Sequence, residues 1–293
     1  MQHRRRLATA LLLALVGVLL LGCSRARICR HAAGRYDHPC PTGMRGYHYL
    51  VYRPPGHGQP RPDGSKWPLL VYLPGASTYG CDVRKIPDGD PPDEIEKGRD
   101  LPMVVISVMT PGMWEAWPPE VVIGVIDHAI ANYDVDPARV YLTGVCVGGT
   151  GVWDTIKVYP DRIAAAVPVC AWGSLQGIER AAEVPVWAFH GTFDIFTPAF
   201  RHKRLVDAHR CAGGSACWTE LPRMHWIWAP TYCRDDLYAW MLAQRKPEGH
   251  ISPSAPRDPA TSPTSARGSA RRSGEVPPRG TRPPAGTAGH TAR

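Results

Sequence analysis

The chain has 293 residues, enough for one large α/β domain with extra segments at its ends, and its 44% hydrophobic content can supply a sizeable core. Its formal net charge is +8, but the ends hold nearly all of it: Arg4, Arg5 and Arg6 give +3, and residues 247–293 carry seven arginines against Glu248, Asp258 and Glu275 for another +4, leaving +1 for the body. A nearly neutral body excludes the basic face that nucleic-acid binding requires, so no nucleic-acid partner is expected.

Residues 1–22 read as a targeting segment. A basic start, His3 to Arg6, is followed by an apolar run from Leu7 to Leu21, shorter than the ~20 residues of a membrane span. Leu20-Leu21-Gly22-Cys23 then resembles the bacterial lipobox, in which the cysteine is lipidated and becomes the first residue after cleavage. The expectation is a signal peptide over 1–22, lipid attachment at Cys23 as a membrane anchor, and a body outside the cytoplasm. The alternatives are an uncleaved anchor helix and a plain secretory signal. In an oxidising compartment most of the nine cysteines should pair. Cys211–Cys217 and Cys29–Cys40 are local candidates and Cys81–Cys233 is a guess, with Cys170 left over if Cys146 is a free thiol.

Residues 23–46 are polar and punctuated by Gly and Pro, which reads as a tether; the folded domain is expected over 47–246. Alternation predicts a strand over Tyr47–Arg53. Short continuous apolar runs then predict strands buried on both faces at Leu69–Leu73, Met103–Val108, Val140–Thr143, Ala164–Val169 and Val186–His190, with a last strand at Ala216–Leu221. Helices are predicted over Pro119–Asn132, Gly148–Val158, Phe200–His209 and Asp235–Gln244, the second stopping before Tyr159-Pro160. Strand–helix alternation implies an α/β fold with a mainly parallel sheet and helices on both faces. Residues 247–293 are Pro, Gly, Ser, Thr, Ala and Arg with few aliphatics. They cannot offset the entropy of ordering and are expected to form a disordered tail.

Three residues carry the chemistry. The strand Val140–Thr143 runs into Gly144-Val145-Cys146-Val147-Gly148-Gly149 and then a helix. This is the nucleophile-elbow pattern G-x-S-x-G with cysteine at its centre; the flanking glycines are needed because side chains there would meet neighbouring backbone. The bland reading is a Gly-rich turn with a small buried cysteine. Downstream, Asp194 follows the strand Val186–His190, and His225 follows the strand Ala216–Leu221, in the order acid then base. Cys146 is then the nucleophile, His225 the proton acceptor and Asp194 the group that orients it. Trp114, Trp117, Trp172, Trp226 and Trp228 fall in loops at the same sheet edge and could line a pocket. His190 reads as a structural residue at a strand end, and His202 and His209 as surface residues. No metal-ligand spacing, phosphate loop or dinucleotide motif is present, so neither a metal nor a cofactor is expected.

From Tyr47 to about Gln244 the chain resembles the bacterial esterase branch of the α/β-hydrolase superfamily, the group of phospholipase/carboxylesterases, feruloyl esterases and polyhydroxybutyrate depolymerase-like proteins. Asp136-Pro137-Ala138-Arg139-Val140-Tyr141-Leu142-Thr143-Gly144 is close to the D-P-x-R-V-Y-L-T-G entry to that family's elbow. Residues Tyr159 to Pro168, the run Trp187-Ala188-Phe189-His190-Gly191, and His225 followed by Trp228 also match. The resemblance implies an α/β-hydrolase fold and a hydrolase of carboxylic esters, thioesters or lactones, with a small-molecule substrate. It also implies an oxyanion hole made by the backbone N–H groups of Ala76 and Val147. Two departures stand out. Cysteine replaces the family's serine, as in a triad resembling that of dienelactone hydrolases, and Pro74-Gly75-Ala76-Ser77 stands where the family has H-G-x-G. The second departure supports an alternative, a catalytically silent surface-binding protein that kept the fold.

Overall fold

The computed structural model describes residues 29–39, 45–86, 89–110, 112–114 and 116–247. The targeting segment, Cys23, Cys40 and residues 248–293 lie outside the described residues. The eight strands are β1 (His31–Pro39), β2 (Arg45–Tyr52), β3 (Trp67–Leu73), β4 (Val104–Val108), β5 (Val135–Val145), β6 (Ala165–Val169), β7 (Val186–Gly191) and β8 (Ala216–Leu221). They form one sheet in the order β1-β2-β4-β3-β5-β6-β7-β8. β1–β2 and β2–β4 pair antiparallel; every pairing from β4 through β8 is parallel.

The strands β3, β4 and β6 are buried along their whole length, which is why they read as continuous apolar runs rather than alternating ones. Side chains leave the sheet alternately to two cores. On one face Leu69, Val71, Val104, Ile106 and Leu142 pack under the helices α2 (Pro119–Asn132), α3 (Val147–Val158) and α4 (Ala199–Cys211). On the other, Leu70, Tyr72, Val105 and Tyr141 meet α1 (Pro91–Glu96), α5 (Trp228–Tyr232) and α6 (Asp235–Leu242). Helices therefore cover both faces of a mostly parallel sheet, the α/β architecture that the alternation implies.

The strand order reverses at β3: β4 lies on one side of it and β5 on the other. The loops leaving β3 and β5 diverge from that point and open a crevice at the C-terminal edge of the sheet, the usual ligand position in such folds.

Three differences from the sequence expectation have physical causes. Residues His31–Pro39, read as part of a tether, form an edge strand paired with β2. The stretch lacks β-branched residues, and its place is fixed by long-range contacts: the Tyr49 ring lies over Gly34, and the Arg30 N–H donates to Glu96 at 3.0 Å. Next, β5 starts five residues earlier than its apolar run, because Val135 pairs with Trp67 before a bulge restores register at Leu69–Val140. Finally, His202 and His209 are fully buried rather than on the surface, since α4 turns them toward Trp153 of α3.

Of the expected disulfides, Cys211–Cys217 and Cys81–Cys233 are not formed, and Cys29–Cys40 includes a residue outside the described ones. All seven cysteines among the described residues are free thiols, including Cys211, Cys217, Cys81 and Cys233. Cys211 ends α4 and Cys217 belongs to β8, where it is held in register opposite Trp187; the loop between them is closed instead by Arg210, whose guanidinium donates twice to the Ala216 carbonyl. No helix among the described residues is long and apolar enough to cross a membrane.

Candidate active site

Cys146 sits between β5 and α3 with φ 56° and ψ −118°, a backbone conformation rarely adopted by a residue with a side chain. The turn is held from both sides: the Cys146 N–H donates to the Val169 carbonyl at 2.9 Å, and the Cys146 carbonyl accepts from the Thr150 N–H at 3.1 Å. The flanking glycines are sterically required. A Cβ on Gly144 would lie 2.6 Å from the Gly148 backbone, and one on Gly148 would run into the Leu73 carbonyl oxygen. Hence the sequence pattern and the turn are one fact: β5 and α3 approach β3 so closely that only hydrogen fits.

His225 is delivered by the loop after β8. That loop crosses the end of β7, where a side chain at Gly191 would strike the Met224 carbonyl. Asp194 follows Gly191 by three residues, and its N–H donates back to the Gly191 carbonyl at 3.1 Å. His225 Nδ1 and Asp194 Oδ2 are 2.6 Å apart, and both side chains are buried. His225 and Cys146 line the same cavity, and Cys146 is among the groups that raise the His225 pKa. The structure thus brings together the three residues that the sequence places in separate loops.

The carboxylate is saturated with donors. Oδ1 accepts the N–H groups of Phe196 and Thr197, each at 2.9 Å, and Oδ2 accepts the Thr197 hydroxyl at 2.7 Å besides His225. Burial alone would raise this carboxyl's pKa. Hydrogen bonds from His190, His225 and the Thr197 N–H outweigh burial and hold it well below the usual carboxylate range. Burial alone would likewise depress His225, but Asp194, Cys146 and Cys170 together push it up to about 12. Cys170, at the end of β6, is buried beneath the pair, and its thiol donates to the His225 carbonyl at 3.2 Å. Burial raises its pKa, which keeps it a thiol. The ligand-type atoms of Cys170, Asp194 and His225 lie within 4.8 Å of one another, but the lone pairs of Asp194 are already spent on these donors.

Cys146 and His225 open onto a cavity of about 320 Å³. Trp114, Trp172, Trp226, Trp228 and Phe196 make its walls apolar, and Arg201 stands at its rim. Trp117 does not reach the cavity. It is buried beneath the loop after β3, donating its indole N–H to the Pro74 carbonyl at 3.4 Å. That loop keeps a turn, with the Thr78 N–H bonded to the Gly75 carbonyl at 3.1 Å and Gly75 packed against Cys146. Ala76 lines the cavity, and among the described residues its N–H donates to no other group. Val147 is the first residue of α3, so its N–H has no acceptor within the helix.

Sequence reading missed Thr197 and the roles of His190 and His202. Thr197 stands three residues after Asp194, the spacing at which a side-chain carboxylate caps a following turn, and that spacing was a usable signal. The contact of His202 with Trp153 joins separate elements and leaves no local trace.

No protein-family model matches the chain. A stretch of 71 residues is 34% identical to the bifunctional acetylxylan esterase/xylanase XynS20E of Neocallimastix patriciarum, covering 24% of this chain and 10% of that protein. Among solved structures, a thermostable esterase superposes with a TM-score of 0.63 at 26% identity, over 74% of this chain and 64% of the other. A ferulic acid esterase gives 0.57 at 15% identity, over 72% and 98%. The S-formylglutathione hydrolase of Staphylococcus aureus gives 0.58 at 14% identity, over 72% and 98%. The chain therefore spans about a tenth of the curated relative it matches and about two-thirds of the thermostable esterase. Its sheet order, its strained turn between β5 and α3, and its superposition on a thermostable esterase agree on one conclusion: the chain has the α/β-hydrolase fold.

Proposed function

We propose that this chain is an exported hydrolase of carboxylic esters, thioesters or lactones, acting through Cys146, His225 and Asp194. The observation that carries the reading is that Cys146, on a strained turn, lines one apolar cavity with His225, whose Nδ1 is held 2.6 Å from Asp194 Oδ2. The esterases among its structural neighbours support the same reaction class.

In this mechanism the Cys146 thiolate, paired with a His225 that already carries both ring protons, attacks the substrate carbonyl carbon. The carbonyl π electrons move to oxygen, and the N–H groups of Ala76 and Val147 stabilise that oxyanion. The tetrahedral intermediate collapses, the bond to the leaving alkoxide breaks, and His225 gives it the proton. A water then attacks the acyl-thioester, losing its proton to His225, and the acid departs as the C–S bond breaks, restoring the Cys146 thiolate beside the doubly protonated His225. Asp194 stays ionised throughout and fixes the imidazole's orientation.

The expected test result is a covalent adduct. Intact-mass analysis after mixing with a panel of 4-nitrophenyl esters should detect one acyl group on the wild-type chain and none on Cys146→Ala. An unmodified wild-type chain that also fails to release nitrophenol would overturn the reading. Export with a lipid on Cys23 rests on the leader and the lipobox-like Leu20–Cys23 alone. Mass analysis of the mature N-terminus checks it, and a mature chain starting elsewhere without a lipid would remove it.

A further inference from the structure

Behind Asp194, on the side away from the cavity, a line of three rings runs through the core from α3 to β7. The Trp153 Nε1 is 3.0 Å from His202 Nε2. His202 Nδ1 is 3.0 Å from His190 Nδ1. His190 Nε2 is 2.6 Å from the Thr197 carbonyl oxygen and 3.3 Å from Asp194 Oδ2. All three side chains are fully buried, and Trp218 of β8 packs against both imidazoles.

The protons in this line have one arrangement. An indole nitrogen only donates, so His202 Nε2 must accept and carries no proton. Burial holds the His202 pKa well below its ordinary value, so this ring is neutral and its single proton is on Nδ1. That proton points at His190 Nδ1, which must then accept. His190 is left with its proton on Nε2, directed at the Thr197 carbonyl and the Asp194 carboxylate. A second proton on His190 would require an anionic His202, so His190 is neutral as well.

We propose that Trp153, His202 and His190 form a positioning relay that fixes the His190 Nε2–H toward Asp194 and Thr197, and so fixes the carboxylate that orients His225. Its catalytic consequence rests on the hydrolase reading above; the relay itself does not. Trp153 sets the direction because its N–H cannot reverse. Asp194 is faced by His190 from β7, by His225 from the loop after β8 and by the Cys170 thiol from β6. Of these, only His190 is held by a chain that never titrates near neutral pH. Its proton goes to the Thr197 carbonyl at 2.6 Å, and its Nε2 stays 3.3 Å from Oδ2 while the His225 proton shuttles.

Two measurements test this. Nitrogen-15 NMR of the imidazoles in the folded wild-type chain should show His202 protonated on Nδ1 only and His190 on Nε2 only, unchanged through neutral pH. In Trp153→Phe the fixed tautomers should be replaced by a mixture. A doubly protonated His190, a His190 proton on Nδ1, or tautomers unmoved in Trp153→Phe would overturn the relay. The second measurement is kinetic. His190→Phe should lower kcat about tenfold with KM nearly unchanged, and should move the acid limb of the kcat profile upward, because Asp194 loses a donor to its charged form. His190→Gln, which keeps a donor near the Nε2 position, should recover most of the rate. Equal kcat values and equal acid limbs in wild type and His190→Phe would overturn the positioning role. If His190→Phe does not fold, the tautomers of wild type and Trp153→Phe still decide. A wild-type chain that forms no acyl adduct while showing these tautomers would fail the hydrolase reading and leave the relay standing.

Discussion

Asp194 and His225 meet at 2.6 Å between Oδ2 and Nδ1 although 31 residues separate them, and they form a buried ion pair whose two members are shifted in opposite directions. The pair ties two loops together, because the same proton that joins them fixes the imidazole in the cavity wall that Cys146 also lines. Its pH dependence follows from the signs of the shifts. The Asp194 pKa is depressed, so its contribution is present above the unfolded value of about 3.9 and is lost as pH falls below it. The His225 pKa is raised to about 12, so its contribution is complete below the unfolded value and is lost as pH climbs toward that figure. Asp194→Asn removes both. The Tm difference between wild type and this variant should be widest between about pH 5 and about pH 6.5 and should narrow by about pH 9.5. A difference that does not vary over this range would mean that the pair is uncharged.

Cys146 is among the groups that raise His225. Cys146→Ala should therefore lower the His225 pKa. Imidazole NMR should find His225 doubly protonated at about pH 8 in the wild type and more nearly neutral there in the variant. Identical titrations would show that the sulfur does not communicate with the ring.

Gly148→Ala tests the elbow. Its new Cβ would meet the Leu73 and Pro74 carbonyls, which are backbone and cannot swing away. A loss of roughly 3 kcal/mol or more is expected by denaturant unfolding, together with loss of any turnover. Gly177→Ala is the contrast: that residue has φ 77° but open space around it, so only the backbone strain of about 1–2 kcal/mol applies. Similar losses at both positions would argue that the close approach of β5 and α3 to β3 is not what the glycine serves.

The four tryptophans and Phe196 of the cavity wall offer flat apolar surface beside the sulfur. Trp172→Ala should raise KM for esters of aromatic acids by about fivefold while changing that for acetyl esters little, since stacking is worth roughly 1 kcal/mol. Steady-state kinetics on paired substrates checks this. Equal changes for both would place Trp172 in the packing of the loop rather than at the substrate.

The amino-acid order by itself determined the alternation of buried strands and amphipathic helices, the glycines around Cys146, and the succession of Asp194 and His225. Each is a local matter: a strand buried on both faces must be apolar throughout, and a turn pressed against backbone must lack a Cβ. Only the tertiary structure decided the rest. His31–Pro39 became a strand because β2 and Glu96 hold it, not through its own propensity. Trp117 went beneath the loop after β3 while Trp172 and Trp226 turned to the cavity. His202, which looks like one more polar residue on a charged helix, is the centre of a buried line from Trp153 to Asp194. These outcomes depend on which elements pack together, and a hydrogen bond across 49 residues leaves no mark on the residues beside either partner.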